Sequence, residues 1–274
     1  MAFDYLFKRI MRDMLPSCDS KSEDVGDLPL RIDAVARCKG DLPTTMMIPL
    51  LERSFSKENI LEYKSGSDKR RKENLSKLLG YVGLYCDQRD IGIDEMHARL
   101  TAWYITAKRP RFLDDLIRSK TVTPADEPGI YDVKVSFPCP TRVVVCDEVA
   151  VNDNKIPLLV LGSEETIKTA IRHLARASPE LRHDMETIIS LIYLFYHDDV
   201  KDMTEMNDLL PPKVRESMKH AIEAVGLEEM IEEIGIDKVI EAAGIDKVIE
   251  AAGIDKVEAT LAKAKANRKP KKSI

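Results

Sequence analysis

The spacing of apolar residues changes period several times along the chain, and each change marks an element. Phe3, Leu6, Phe7, Ile10, Met11 and Met14 recur at helical intervals, which predicts an amphipathic helix over residues 3–15. The polar stretch from Ser17 to Asp27 reads as a loop. From Leu28 to Cys38 the period drops to two, with Leu30, Ile32, Ala34 and Ala36 on one face and Arg31, Asp33, Val35 and Arg37 on the other; that is a strand. Lys39-Gly-Asp-Leu-Pro is a turn, Thr44 to Phe55 holds a second apolar run, and Asn59 to Ser65 makes a third strand. Leu75, Leu78, Leu79, Val82 and Tyr85 return to helical spacing and predict a helix over 69–88. Arg99 to Ala107 is a further strand, and Pro110 to Ser119 a short helix.

The order α-β-β-β-α-β describes a mixed sheet with helices packed on it, an α/β layer architecture. Farther on, Gly129–Val133 and Thr141–Cys146 read as strands. Ser163 is placed to cap a helix, and another helix is expected from Pro179 to about Asp198. Pro211-Pro212 breaks the chain. Then come four nine-residue units, Ile222–Met230, Ile231–Val239, Ile240–Val248 and Ile249–Val257, the later ones reading Ile-Glu-Ala-Ala-Gly-Ile-Asp-Lys-Val. A glycine at each fifth position costs about 1 kcal/mol against alanine inside a helix. Short helical segments broken at the glycines are therefore expected, with apolar faces suited to self-association or protein binding. The expected organisation is a core over 1–120, further strands and helices over 121–205 completing or covering it, a repeat extension over 213–258, and a basic tail over 259–274.

Composition narrows the function class. With 274 residues and 44% hydrophobic content the chain can bury a real core. No run of about 18 apolar residues exists and the N-terminus lacks the order of a signal peptide, so a cytoplasmic protein that does not cross a membrane is expected. The five cysteines are odd in number and hold no Cys-x-x-Cys pair, which argues against a disulfide framework or a zinc site. A net charge of −5 is not that of a typical nucleic-acid binder, but the basic residues are clustered: Lys69 to Lys72, then Lys108, Arg109 and Arg111, then Arg268 to Lys272.

The chemistry gathers on two strands. Glu62 and Lys64 are two residues apart, so both side chains leave the same face, and Asp33 lies on the more polar face of its own strand. If the strands are neighbours, two carboxylates and an amine share one locus. Carboxylates held together out of water need a cation, and Mg²⁺ (or Mn²⁺) suits oxygen ligands that leave room for waters. An acid two residues before a lysine is also a common surface pair. No Walker loop or Gly-x-Gly-x-x-Gly supports a nucleotide enzyme.

The order helix, strand with Asp33, hairpin, strand with Glu62-x-Lys64, then basic helix resembles the PD-(D/E)xK nuclease superfamily over roughly residues 1–120. The runs Ser54-Phe-Ser-Lys-Glu-Asn-Ile-Leu-Glu-Tyr-Lys-Ser, Lys77-Leu-Leu-Gly-Tyr-Val-Gly-Leu-Tyr and Glu127-Pro-Gly-Ile-Tyr are similar to Rpn-type recombination-promoting nucleases and putative transposases of prokaryotes, where comparable repeat tails occur. This resemblance implies a restriction-endonuclease-like fold and Mg²⁺-dependent hydrolysis of DNA, linked to mobile elements or recombination. It implies Asp33 and Glu62 as metal ligands, Lys64 as the catalytic lysine, and Lys77 and Tyr81 in support. The first helix would add an acid, Asp4 or Asp13. Ile32 stands where the motif often has proline. The rival expectation is an inactive nuclease-fold scaffold or binding module that assembles through its repeats.

Overall fold

The computed structural model describes residues 2–14, 18–25, 30–38, 56–66, 72–134, 139–200 and 203–209. The expected second apolar run at 44–55, the cluster Lys69–Arg71, the break at Pro211-Pro212, the nonapeptide repeats and the basic tail lie outside the described residues. Two compact units are distinguished, Phe3–His173 and Leu174–Ile274, the latter joined by Met1–Ala2.

The first unit is a mixed α/β layer structure built on one seven-stranded open sheet, in the order β1-β2-β3-β4-β7-β6-β5. After helix α1 (Ala2–Met14) come β1 (Cys18–Val25), β2 (Leu30–Cys38) and β3 (Glu58–Lys64), which pair antiparallel in succession. Helices α2 (Lys72–Gln88) and α3 (Ile93–Arg99) form the crossover to β4 (Leu100–Thr106), which lies parallel to β3. Helix α4 (Arg111–Arg118) leads to β5 (Val122–Pro124), β6 (Ile130–Val133) and β7 (Thr141–Val145); β7 returns to pair parallel with β4. Strands β5, β6 and β7 thus belong to the same sheet as the first three strands. Its parallel centre, β3-β4-β7, is flanked by antiparallel edges.

Strand parity sorts the side chains. One face carries Val35, Ile60, Ala102, Tyr104, Val143 and Val145, which form a core with Leu78, Val82 and Tyr85 of α2 and Phe112, Leu113 and Leu116 of α4. The other carries Ala34, Leu61, Tyr63, Trp103 and Ile105, all buried. There Phe7 of α1 stacks on Tyr63 at 5.0 Å, and the Tyr63 hydroxyl donates to the carbonyl of Leu161 (2.7 Å), just past α5 (Ile156–Val160). Helix α6 (Glu164–Ala175) begins directly after Ser163, as its capping position implies. The Asp147 carboxylate, from the 3-10 turn after β7, accepts both the Ser163 N–H and the Thr166 hydroxyl, each at 2.7 Å, and so caps that helix from a distance.

Three expectations need correction. Residues 18–25 were expected to form part of a loop but make strand β1. An edge strand needs no apolar alternation, because charged side chains there face water and discourage pairing with other chains. Helix α3 was not foreseen; none of its residues is buried, so it carries no apolar stripe to read. The cysteine count hid a pair: Cys18 and Cys38 face each other across β1 and β2 and are joined by a disulfide, while Cys86, Cys139 and Cys146 are free and buried.

At the amino end of β3 a charged network ties the β1–β2 hairpin to α2. Glu58 accepts from the Tyr85 hydroxyl and from Arg99 Nε (2.8 Å); Arg37 Nε donates to the Tyr85 oxygen (3.1 Å); and Glu23 is shared by Arg37 and Arg89. Burial raises the Glu23 pKa, but the bonds from Arg89 and Arg37 outweigh it and leave the group below the usual carboxylate range. Burial first, then the bond to Glu58, pushes the Tyr85 hydroxyl up to about 12.

In the second unit, α7 (Pro179–Asp184) starts at Ser178, whose hydroxyl accepts the Leu181 N–H (3.2 Å). The single helix expected from Pro179 onward is interrupted at Met185 and again at Tyr196, giving α8 (Glu186–Phe195) and α9 (His197–Val200), and α10 (Thr204–Leu209) follows. Bonds from Met185 N to Leu181 O and from Ile189 N to Met185 O carry across the first interruption. No helix among the described residues is long and apolar enough to cross a membrane.

Two outcomes are expected. Thiol titration of the denatured chain gives three reactive groups without reductant and five with it, and Cys38→Ala lowers the unfolding free energy in urea by roughly 3 kcal/mol. A tyrosine pKa raised by folding stabilises the native state below the unfolded value near 10, and that contribution disappears as pH rises toward 12. Wild type therefore loses more stability than Tyr85→Phe between about pH 10 and 12 in alkaline unfolding.

Candidate active site

The paired register of β2 and β3 runs from Arg37–Glu58 to Ala34–Leu61. Glu62, in step with Ile60, belongs to the face packed by α2. Beyond Ala34 the alternation of β2 is broken by a bulge: Lys21 faces Val35 but Glu23 faces Ile32, so Asp33 and Ala34 are set against a single residue of β1. There the Asp33 carboxylate accepts the backbone N–H of Tyr63 (Oδ2 to N, 2.8 Å). It thereby sits against the peptide that joins Glu62 to Tyr63, with Lys64 one residue on. The Ser22 hydroxyl on β1 holds the Asp33 carbonyl at 2.9 Å and fixes the strand from its other side.

Glu62 is only 2% exposed, although it is a charged residue. Its Oε1 accepts from Lys64 Nζ at 2.6 Å; its Oε2 is buried with no hydrogen-bond partner among the described residues. Lys64 is partly exposed, so its ammonium reaches the site from the strand's solvent-facing end. Glu62 and Lys64 are thus paired on β3, and Asp33 of the adjacent strand is bonded to the backbone next to them.

Lys77 and Tyr81 are brought to each other instead. Helix α2 runs back along β3, with Tyr85 bonded to Glu58. Eight residues of helix cover about 12 Å and four of strand about 13 Å, so Lys77 is level with Glu62. Its ammonium, however, lies over the Tyr81 ring, 5.0 Å from the centroid, on an exposed flank of the helix. No hydrogen bond or ion pair joins it to the trio among the described residues, and Tyr81 is a core residue. Asp4 and Asp13 lie along α1, but their side chains fall outside the described residues.

Tyr104 was not singled out from the sequence. It is in register with Glu62 across the parallel β3–β4 pair, fully buried, with its ring tilted against Phe112 at 6.2 Å. The row Glu62, Tyr104, Val143 crosses the sheet on one face, and only strand pairing reveals it. The alternation of residues 100–106 marks Tyr104 as inward-facing but not as a neighbour of Glu62.

No group of three or more His, Cys, Asp or Glu side chains suited to a metal is found among the described residues. Two carboxylates fit a hard cation that keeps several waters, and the orphaned Glu62 oxygen is the kind of buried acceptor such an ion satisfies. Compared with protein-family models, curated proteins and solved structures, the chain matches none.

Removing Lys64 leaves a buried carboxylate without its cation. Lys64→Ala is expected to lose up to about 3–5 kcal/mol of unfolding stability, and Glu62→Gln added to it recovers most of that loss in the same urea titration. A second substitution that recovers nothing would mean that the pair is not coupled.

Proposed function

We propose that this chain is a Mg²⁺- or Mn²⁺-dependent nuclease that hydrolyses DNA phosphodiester bonds, built on a restriction-endonuclease-like fold of the PD-(D/E)xK type and similar to the Rpn-type recombination-promoting nucleases. One observation carries the reading: Asp33 is bonded to the peptide between Glu62 and Tyr63 while a buried oxygen of Glu62 has no partner. The element order supports it, with α1, then β1, β2 and β3 antiparallel, then a helical crossover to a parallel β4, the aspartate on β2 and Glu-x-Lys on β3.

Asp33 and Glu62 would hold the cation. When bound, such an ion acidifies a coordinated water and offsets charge on the phosphate. The chain's own groups do the rest. Asp33 is oriented by the Tyr63 N–H, so its carboxylate needs no reorganisation. Lys64 is held 2.6 Å from Glu62, so its ammonium is set to orient an attacking water or to stabilise the added negative charge of a phosphorane-like state. Tyr104 and Phe112 close the inner side of the site to bulk water, which strengthens each of these interactions.

A second reading rests on the Lys64–Glu62 ion pair itself. Lysine and glutamate satisfy each other's charge, as they would in a fold retained as a scaffold, with assembly through the C-terminal repeats. The two readings separate in one experiment. Wild type is expected to nick supercoiled plasmid with Mg²⁺ or Mn²⁺, and Lys64→Ala and the near-isosteric Glu62→Gln to do so at least about 100-fold more slowly. The same cations are expected to raise the melting temperature of wild type but not of Glu62→Gln. Equal nicking by all three proteins, or none by any, removes the enzymatic reading.

A further inference from the structure

The carboxyl ends of the parallel strands β3, β4 and β7 lie along one edge of the sheet, the edge at which open α/β sheets receive ligands. Lys64 ends β3 in register with Thr106, and the Ala107 N–H donates to the Lys64 carbonyl (3.0 Å). The next residues are Lys108, Arg109, Pro110 and Arg111, so three cations follow β4 directly beside the candidate site.

These cations are not equivalent. Arg109 donates to Asp114 Oδ1 (2.7 and 2.9 Å), to Glu148 Oε1 (2.8 Å) and to the Tyr131 hydroxyl (2.6 Å), and its guanidinium lies over the Tyr131 ring. Bound on that many sides, it is a strut that fixes the loop to β6 and to the turn after β7. Lys108 and Arg111, on either side, are exposed and have no hydrogen bond or ion pair from their side chains among the described residues. Each nearby acid has a hydrogen-bonding partner of its own: Asp114 and Glu148 share Arg109, Asp115 pairs with Arg118, and Asp147 caps the start of α6. Thr106 Oγ1 donates to the Lys108 carbonyl (3.0 Å) and stiffens the segment further.

We propose that Lys108 and Arg111 form a phosphate clamp for duplex DNA, seating backbone phosphates on the strand that passes the Asp33–Glu62–Lys64 site. The proposal rests on the nuclease reading for its choice of ligand. A polyanion suits two uncommitted cations on a pinned loop beside a site that would act on one of its phosphates. The arrangement also accommodates a chain of net charge −5, because the clamp needs local charge and not a basic protein.

The test is fluorescence anisotropy of the full chain with a labelled 20-base-pair duplex in EDTA, repeated between 50 and 200 mM KCl. Lys108→Ala/Arg111→Ala is expected to weaken binding at every salt concentration and to lower the log–log salt slope by roughly 2, about one per lost phosphate contact. Lys108→Arg is expected to keep the slope. Both positions are exposed, so circular dichroism and melting should be unchanged. Wild-type affinity and slope in the double variant, or no duplex binding by wild type, overturns the clamp. A reduced slope without plasmid nicking by any protein keeps the clamp and discards the nuclease; nicking with an unaltered slope does the reverse.

Discussion

The buried carboxylate of Glu62 sets the terms for everything around it. Taking an ionised group out of water costs several kcal/mol even after relaxation, and only close partners offset that cost. Lys64 supplies one, at 2.6 Å, and it can do so because a strand returns to the same face every second residue. Asp33 is drawn to the same place by a different force. Where the ladder between β2 and β3 stops at Ala34–Leu61, the Asp33 side chain takes the Tyr63 N–H. A second acid is thus fixed against the backbone next to Glu62 by a charge-assisted bond. Where two carboxylates converge, a shared cation offsets their repulsion.

The same strand provides its own comparison. Glu58 lies on the same face four residues earlier, and it too is buried. Both of its oxygens are satisfied, one by Arg99 and the other by Tyr85, with Arg37 close behind. That end of β3 is a fastening, joining the hairpin, the crossover helix and the start of β4 in one network. Four residues on, Glu62 has one oxygen bonded and the other bare. A structural role accounts for the first glutamate completely. It accounts for the second by half. The contrast favours a ligand over a mere brace at Glu62.

Much of this was legible because periodicity reports burial. β2, β3, α2 and β4 were each foreseen to within a few residues, since all present an apolar face to the core at their own period. Glu62 and Lys64 could be placed on one face from spacing alone. Other features carry no such signal. β1 is an edge strand made mostly of Ser, Asp, Lys and Glu, so the pairing that defines it lies in its partner. α3 buries nothing. The Cys18–Cys38 bond depends on register, which a cysteine count does not contain. Tyr104 is of the same kind: its alternation marks it as inward-facing, but its position next to Glu62 belongs to the β3–β4 pairing. Strand neighbours are tertiary facts, and the half of the site that depends on them had to wait for the fold.

Charge distribution follows the same logic at larger scale. Summed over the chain, acids outnumber bases, and a reading from net charge points away from nucleic acid. Resolved in space, the acids around the carboxyl ends of β4 and β7 are occupied, by Arg109, by Arg118 and by the first turn of α6. A carboxylate beside a guanidinium has its field reduced at close range, whereas a lysine with no bonded acid acts over about a Debye length, some 8–10 Å. Lys108 and Arg111 are the cations of that loop without a bonded acid among the described residues. Arg109, though equally charged, contributes mainly by holding them still.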